Sequence, residues 1–334
     1  MKARQILIPL FASMLLTIGC SRNNTPPSPP VTPLDTTNRS TATGDTLHWQ
    51  KVQLNSTAVF TDCWFTDSQH GFVLSSDSLI LRTTDGGVNW QPVPGIRGVF
   101  YTLDFLNASQ GYALGFDQLA ITMDGGQSWT HKPLTGVKID KAKWPYIQFV
   151  TAATGYLNAG ESLYKTSDTG STWTEIYVRL TYGLYFSNEL TGYAYCYPDS
   201  LLQTTDGGGH WQALSSLGTP NSFILNQYTH FHFTDAQHGW FIDSYTLYAT
   251  VDGGSHWSTQ FSSSNKFLFT DLQMLNGQTG YASCLDRLLK TTDGGITWNM
   301  VYSNSAFKIE SIFFLDEHNG WASCSNGVLL KYHL

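Results

Sequence analysis

Charge is scarce in this chain. Charged residues fill only 13% of 334 positions, too few to clothe the solvated faces of long helices. No basic run interrupts a formal net charge of −7, which disfavours nucleic acid as a partner. Cysteine is sparse as well: there are five, none in a Cys-x-x-Cys or Cys/His spacing, so the pattern contains no zinc knuckle and no redox motif. No cofactor fingerprint is present. The longest mainly apolar run, residues 6–18, falls short of the roughly 20 residues a membrane-spanning helix needs. Glutamate is rare too, with Glu161, Glu175, Glu189, Glu310 and Glu317 the whole supply beyond residue 46. What is plentiful is aromatic residues, at 14%, and glycine, at 30 residues; together they suit a sheet-rich protein with many turns.

One phrase recurs. Thr291-Thr292-Asp293-Gly294-Gly295-Ile296-Thr297-Trp298 has near-copies at 83–90, 122–129, 166–173, 204–211 and 250–257. In all six copies a Thr stands two residues before the Asp, a Gly two after it and a Trp five after it. Asp followed by Gly suits a tight hairpin, because the carboxylate accepts backbone N–H bonds and Gly takes positive φ. The Trp opening the next strand can fill a gap between sheets. Asp85, Asp124, Asp168, Asp206, Asp252 and Asp293 are therefore read as turn-pinning rather than reactive groups. The phrase resembles the Asp-box, or BNR, repeat of several β-propeller families.

A second marker is Gly followed by an aromatic, at Gly71-Phe72, Gly111-Tyr112, Gly155-Tyr156, Gly192-Tyr193, Gly239-Trp240, Gly280-Tyr281 and Gly320-Trp321. Spacings of 37 to 47 residues match a four-stranded propeller blade. Seven of these pairs stand against six boxes. The last unit stops after its third strand, while the segment around Trp49–Gln53 is a strand with no unit of its own. The expected fold is an all-β, single seven-bladed propeller over 46–334, closed by the N-terminal strand as the outer strand of the last blade, which removes exposed edges. Cys196, Cys284 and Cys324, at equivalent positions, read as small buried residues, with disulfides permitted outside the cytoplasm.

Ahead of the ring, Lys2 and Arg4 precede the apolar run. Leu16-Thr17-Ile18-Gly19-Cys20 resembles a bacterial lipobox, which implies a signal peptide over 1–19 and lipidation of Cys20; the alternative is an ordinary cleaved signal. Residues 20–45, with Pro26, Pro27, Pro29, Pro30 and Pro33, read as an extended tether. The expected location is extracytoplasmic, lipid-anchored to the bacterial membrane, with the periplasmic side of the outer membrane preferred.

The innermost strand of each blade should line the channel, and strict alternation sorts its residues. Core parity holds Phe65, Phe105, Phe149, Phe186, Phe233, Met274 and Phe314. The opposite parity then sets Asp62, Asp104, Tyr146, His230 and Asp271 in the inner channel, and Phe60, Phe100, Trp144, Tyr228 and Phe269 at its mouth. That aromatic mouth is either a platform for a peptide or sugar, or a surface covered by long connections. Two such connections, 130–143 with four lysines and 212–227, lie on the same face. His230, Asp271 and Asp62 could hold a divalent cation or simply bond to one another in a polar channel. None of the glutamates is expected on the channel face.

Three family resemblances bear on activity. Asp-box propellers include sialidases, but that chemistry implies an arginine cluster, and only Arg82, Arg97, Arg179 and Arg287 follow the tether. Xyloglucanase-like hydrolases carry the box but pair two propellers around a cleft. Ile312-Phe313-Phe314-Leu315-Asp316-Glu317-His318-Asn319-Gly320-Trp321-Ala322 and Leu288-Leu289-Lys290 with the box that follows resemble the photosystem II stability and assembly factor group (Ycf48/Hcf136-like). That resemblance implies a non-catalytic scaffold that binds protein partners; the group's arginine-rich patch is not evident in this sequence, and the expectation is a monomer with a protein or peptide partner. The competing expectation is a propeller that binds or hydrolyses glycans, with Asp62 and Asp104 as its formal acid and base.

Overall fold

The computed structural model describes residues 48–140, 143, 145–196, 200–214, 230–243, 245–262 and 268–333. The expected signal and tether segments, including Cys20, therefore lie outside the described residues, as do Trp144 and Tyr228. The described strands form seven four-stranded antiparallel sheets. Each blade runs outward from an inner strand: Phe60–Phe65, Phe100–Phe105, Tyr146–Phe149, Thr181–Phe186, His230–Phe233, Phe269–Met274 and Ile309–Phe314 for blades 1 to 7.

Blade 7 is completed from the other end of the chain. Trp49–Gln53 pairs antiparallel with Val328–His333, Trp49 opposite Tyr332 and Gln53 opposite Val328. Trp49 is buried, 5.0 Å from the Tyr332 ring and 5.9 Å from Phe314. The strand thus closes the ring as expected and covers what would otherwise be an open sheet edge.

The Gly-aromatic pairs are explained by packing between blades. A methyl group at Gly71, Gly111, Gly155, Gly192, Gly239 or Gly320 would overlap the ring of Phe65, Phe105, Phe149, Phe186, Phe233 or Phe314 in the same blade, and at Gly280 the Met274 side chain. With no Cβ in the way, the last core residue of the inner strand lies flat over the second strand. The aromatic that follows stacks on the corresponding ring of the next blade: Tyr112 on Phe149 at 3.5 Å, Tyr156 on Phe186 at 3.4 Å, Tyr281 on Phe314 at 3.7 Å. Trp321 on Phe65, at 3.6 Å, repeats the contact across the seam where the ring closes. These near-parallel stacks bury large rings between neighbouring blades, so the blade-to-blade core is continuous.

Each box pins the hairpin between the outer two strands. In the first copy Asp85 Oδ1 accepts from the Thr83 hydroxyl at 2.8 Å and from the Asn89 backbone N–H at 2.9 Å, while Gly87 N–H donates to Thr83 Oγ1 at 2.9 Å. The same three bonds recur around Asp124, Asp168, Asp206, Asp252 and Asp293. The box Trp then turns inward between blades: Trp129 meets Phe72 of blade 1 and Phe105 of blade 2 edge-on, at 5.9 and 6.0 Å. Cys63, Cys196, Cys284 and Cys324 are buried free thiols.

Five inner strands carry a bulge near their start. The register slips between Phe60 and Asp62, Phe100 and Thr102, Thr181 and Gly183, Phe269 and Asp271, and Ile309 and Ser311. A bulge sets two residues against one and breaks the period of two, and it decides what faces the channel.

Candidate functional site

Ahead of the bulge, side chains fall on the face opposite to the one strict alternation assigns. Phe60 and Phe269 are fully buried and Phe100 is 5% exposed. The expected aromatic mouth at Phe60, Phe100 and Phe269 is therefore incorrect: these rings belong to the inter-blade core. The bulge residues take their place: Thr61, Tyr101, Tyr182 and Glu310 line the channel there, while Thr270 is fully buried with its hydroxyl 2.7 Å from Ser283 Oγ. Glu310 also corrects the expectation that no glutamate reaches this face.

Beyond the bulge the alternation holds. Asp62, Asp104, Tyr146, His230 and Asp271 all line a channel cavity of about 320 Å³. The structure links three of them through Ser311. Its hydroxyl lies 2.9 Å from Asp271 Oδ2 and 3.1 Å from Asp62 Oδ1, and His230 Nδ1 is 3.2 Å from Asp271 Oδ1. The chain His230–Asp271–Ser311–Asp62 thus runs along the wall of blades 5, 6, 7 and 1. Among the described residues no three His, Cys, Asp or Glu side chains converge to hold a metal ion.

These polar side chains also fasten the blades together. Inner strands of adjacent blades diverge too far to pair as a sheet, so backbone groups at the seams need other partners. Asp62 Oδ2 accepts from Leu103 N–H at 2.8 Å, Asp104 Oδ2 from Phe149 N–H at 2.6 Å and Asp271 Oδ2 from Ile312 N–H at 2.9 Å. Gln148 and Gln273 each use both ends of the amide. Their Oε1 atoms accept from Phe186 and Phe314 N–H, and their Nε2 atoms donate to the same residues' carbonyls at 3.0 and 2.8 Å. Where the position is apolar, contact replaces the bond, with Trp64 4.9 Å from Phe313. Alternation by itself places Asp62, Asp104 and Asp271 on the channel face; their reach to the next blade is not visible in it.

Burial sets the electrostatics. It pushes the carboxyls of Asp62 and Asp104 up to about 7, against the lowering effect of the Leu103 and Phe149 N–H bonds, and the nearby Asp271 and Asp62 charges add to the rise. Burial also raises the Tyr146 phenol well above its usual range and lowers His232 to about 4. At the opposite end of the blades the box carboxylates behave inversely. The Asn89 backbone N–H and side-chain amide hold Asp85 at about 2.

One lysine of the long connection has a structural duty as well. Lys132 Nζ donates to Thr169 O and Ser171 Oγ of the next blade's box, both at 2.8 Å. Residues 215–229 of the second long connection lie outside the described residues.

Fold and channel together define the class: a seven-bladed Asp-box β-propeller with a polar, aromatic channel along its axis. Comparison with known proteins narrows this. The family described as "Photosynthesis system II assembly factor YCF48" matches residues 41–96. The chain is 36% identical over 93 residues to the photosystem II assembly lipoprotein Ycf48 of Trichormus variabilis, covering 28% of this chain and 22% of that protein. It spans roughly a quarter of the length of the first curated relatives it matches. Among solved structures, YCF48 bound to D1 peptide superposes with a TM-score of 0.68 at 22% identity, covering 86% of this chain and 97% of that one. The Niastella koreensis GH74 enzyme superposes with a TM-score of 0.64 at 14% identity, over 85% of this chain and 53% of the enzyme. The resemblance to the Ycf48 group stands on sequence and fold alike; the likeness to the glycoside hydrolase is one of fold.

Proposed function

We propose that this chain is a non-catalytic, lipid-anchored scaffold outside the cytoplasm that binds a peptide segment of a protein partner at the channel mouth. In this reading residues 1–19 are a lipoprotein signal, 20–45 the tether and 46–334 the binding ring. The observation that carries it is the engagement of the channel carboxylates. Both oxygens of Asp62 and both of Asp271 accept backbone N–H bonds, so Asp104, whose Oδ1 is open, lacks an unengaged aspartate partner for the paired-carboxylate chemistry that hydrolysis demands. The matched relatives are named as assembly lipoproteins, and one solved neighbour holds a peptide.

Tyr101 and Tyr182, at the bulges, supply the aromatic contact surface in place of the buried phenylalanines. The test is crosslinking in cells followed by recovery of the full-length protein from membranes. Tyr101→Ala with Tyr182→Ala should remove the main crosslinked partner while the ring stays folded; an unchanged set of partners would place the site elsewhere.

The GH74-like fold and the Asp-lined channel favour a second reading, a glycan-binding or glycan-cleaving propeller. It would be upheld by turnover in a broad glycan hydrolysis screen that Asp104→Asn abolishes.

A further inference from the structure

The channel wall is acidic. Four carboxylates, Asp62, Asp104, Asp271 and Glu310, line it, and among the described residues no Lys or Arg does. His232 contributes no compensating charge at neutral pH, since burial holds it at about 4. Between the carboxylates the wall is aromatic, with Trp64, Tyr101, Tyr146, Tyr182, Tyr185 and Phe313.

One group points to a missing partner. Asp104 is 8% exposed, and its Oδ2 is occupied by Phe149 N–H, whereas its Oδ1 meets no donor among the described residues. That oxygen is an open acceptor on the wall of a ligand-sized cavity. At about 320 Å³ the space lies at the lower end of the roughly 300–1,000 Å³ of small-molecule pockets, enough for an extended side chain and too little for a folded element. From this geometry we propose that the channel is a subsite for an alkylammonium group, the side chain of a lysine in the bound peptide, with Asp104 Oδ1 as its acceptor.

The occupant follows from how the wall is built. Asp62 and Asp271 have their oxygens taken by backbone N–H groups, so they supply negative potential rather than ligand atoms. A metal ion, which needs converging oxygens, finds no such cluster among the described residues. A lysine side chain instead offers a methylene stem to the aromatic faces and an ammonium to the rings and to Asp104, through cation–π contact and a charge-assisted hydrogen bond. Its charge would also relieve the unfavourable ionisation of Asp62 and Asp104.

This inference rests on the peptide-scaffold reading but fails separately from it. The experiment is calorimetric titration of the full-length protein in detergent with the capped pentapeptide Gly-Gly-Lys-Gly-Gly, its norleucine counterpart and calcium chloride. The lysine peptide should bind at least about tenfold more tightly than the norleucine peptide, and Asp104→Asn should erase that preference while leaving thermal unfolding cooperative. Asp62→Asn should weaken it partially. Equal or absent binding of the two peptides by the wild-type protein overturns the proposal, whatever the variants do. Tighter binding of calcium alone, competitive with the peptide, overturns it in favour of a metal site. Lost lysine preference with a Tyr101- and Tyr182-dependent partner intact would sink the subsite and spare the scaffold. Lysine selectivity with an unchanged partner set would do the reverse.

Discussion

Asp85 and Asp104 are the same residue on the same kind of blade, at opposite ends of the electrostatic range. Asp85 sits in a box at the outer hairpin, open to water, and receives the Thr83 hydroxyl, the Asn89 N–H and the Asn89 amide. Asp104 sits largely buried in the channel wall, with one N–H on one oxygen and the other facing the cavity. Donors and solvent favour the ionised form of the first and hold it at about 2; desolvation opposes ionisation of the second and lifts it to about 7. Six box carboxylates look like a site in the sequence but are used up in holding turns. Asp104, one of the channel carboxylates scattered singly through the sequence, keeps an oxygen without a donor, and an open acceptor is what a ligand can use.

The comparison can be scaled against a change that opens the ring itself. Trp49→Ala removes the packed ring of the closing strand and should cost about 3–5 kcal/mol, the largest loss expected here, read as a drop in urea midpoint. If a single box or channel substitution costs as much, the carboxylates do more than pin turns or line a channel.

A folded pKa near 7 for Asp104, above the ordinary 3.8, means that the folded state favours the protonated form. This contribution to stability is complete below about pH 4 and is lost as pH rises through 7. Asp104→Asn keeps an acceptor for Phe149 N–H and carries no charge. It should therefore be more stable than the wild type at pH 8 by about 1–3 kcal/mol, the cost of an under-satisfied buried polar group, and nearly equal to it at pH 4. Chemical denaturation at the two pH values checks this; an identical deficit at both would show that charge is not the cause.

The smallest effect belongs to the box. A folded pKa lowered to about 2 for Asp85 gives stability that is present above about pH 4 and lost as pH falls toward 2. Asp85→Ala should cost about 0.5–2 kcal/mol at pH 7, comparable to loss of a helix cap, and the penalty should shrink at pH 2. Thermal unfolding across that range measures it, and a penalty that grows in acid would invert the assignment.

How far the site could be read in advance depends on the bulges. The blade count, the closing strand and the inner-channel positions Asp62, Asp104, Tyr146, His230 and Asp271 were legible, because Gly-aromatic spacing and period-two alternation are local. The mouth was misread by carrying that alternation one step too far. Its signal lay in the core residues themselves: Phe60, Cys63 and Phe65 stand at i, i+3 and i+5, as do Phe100, Leu103 and Phe105, Phe269, Leu272 and Met274, and Ile309, Ile312 and Phe314. A gap of three where two is due marks the inserted residue. The bonds from Asp104 to Phe149 and from Gln148 to Phe186 left no comparable trace, since each joins residues about 40 apart across a seam that has no sequence pattern.

By itself the sequence determined the repeated hairpin, the flat stack of Phe or Met over Gly and the number of blades, because each depends on residues close together in the chain. Only the tertiary structure decided which side chains share the channel, that Ser311 joins Asp62 to Asp271, and that Asp104 keeps an oxygen without a donor. Those facts depend on where seven inner strands meet, and closing the ring brings together residues as far apart as Asp62 and Ser311.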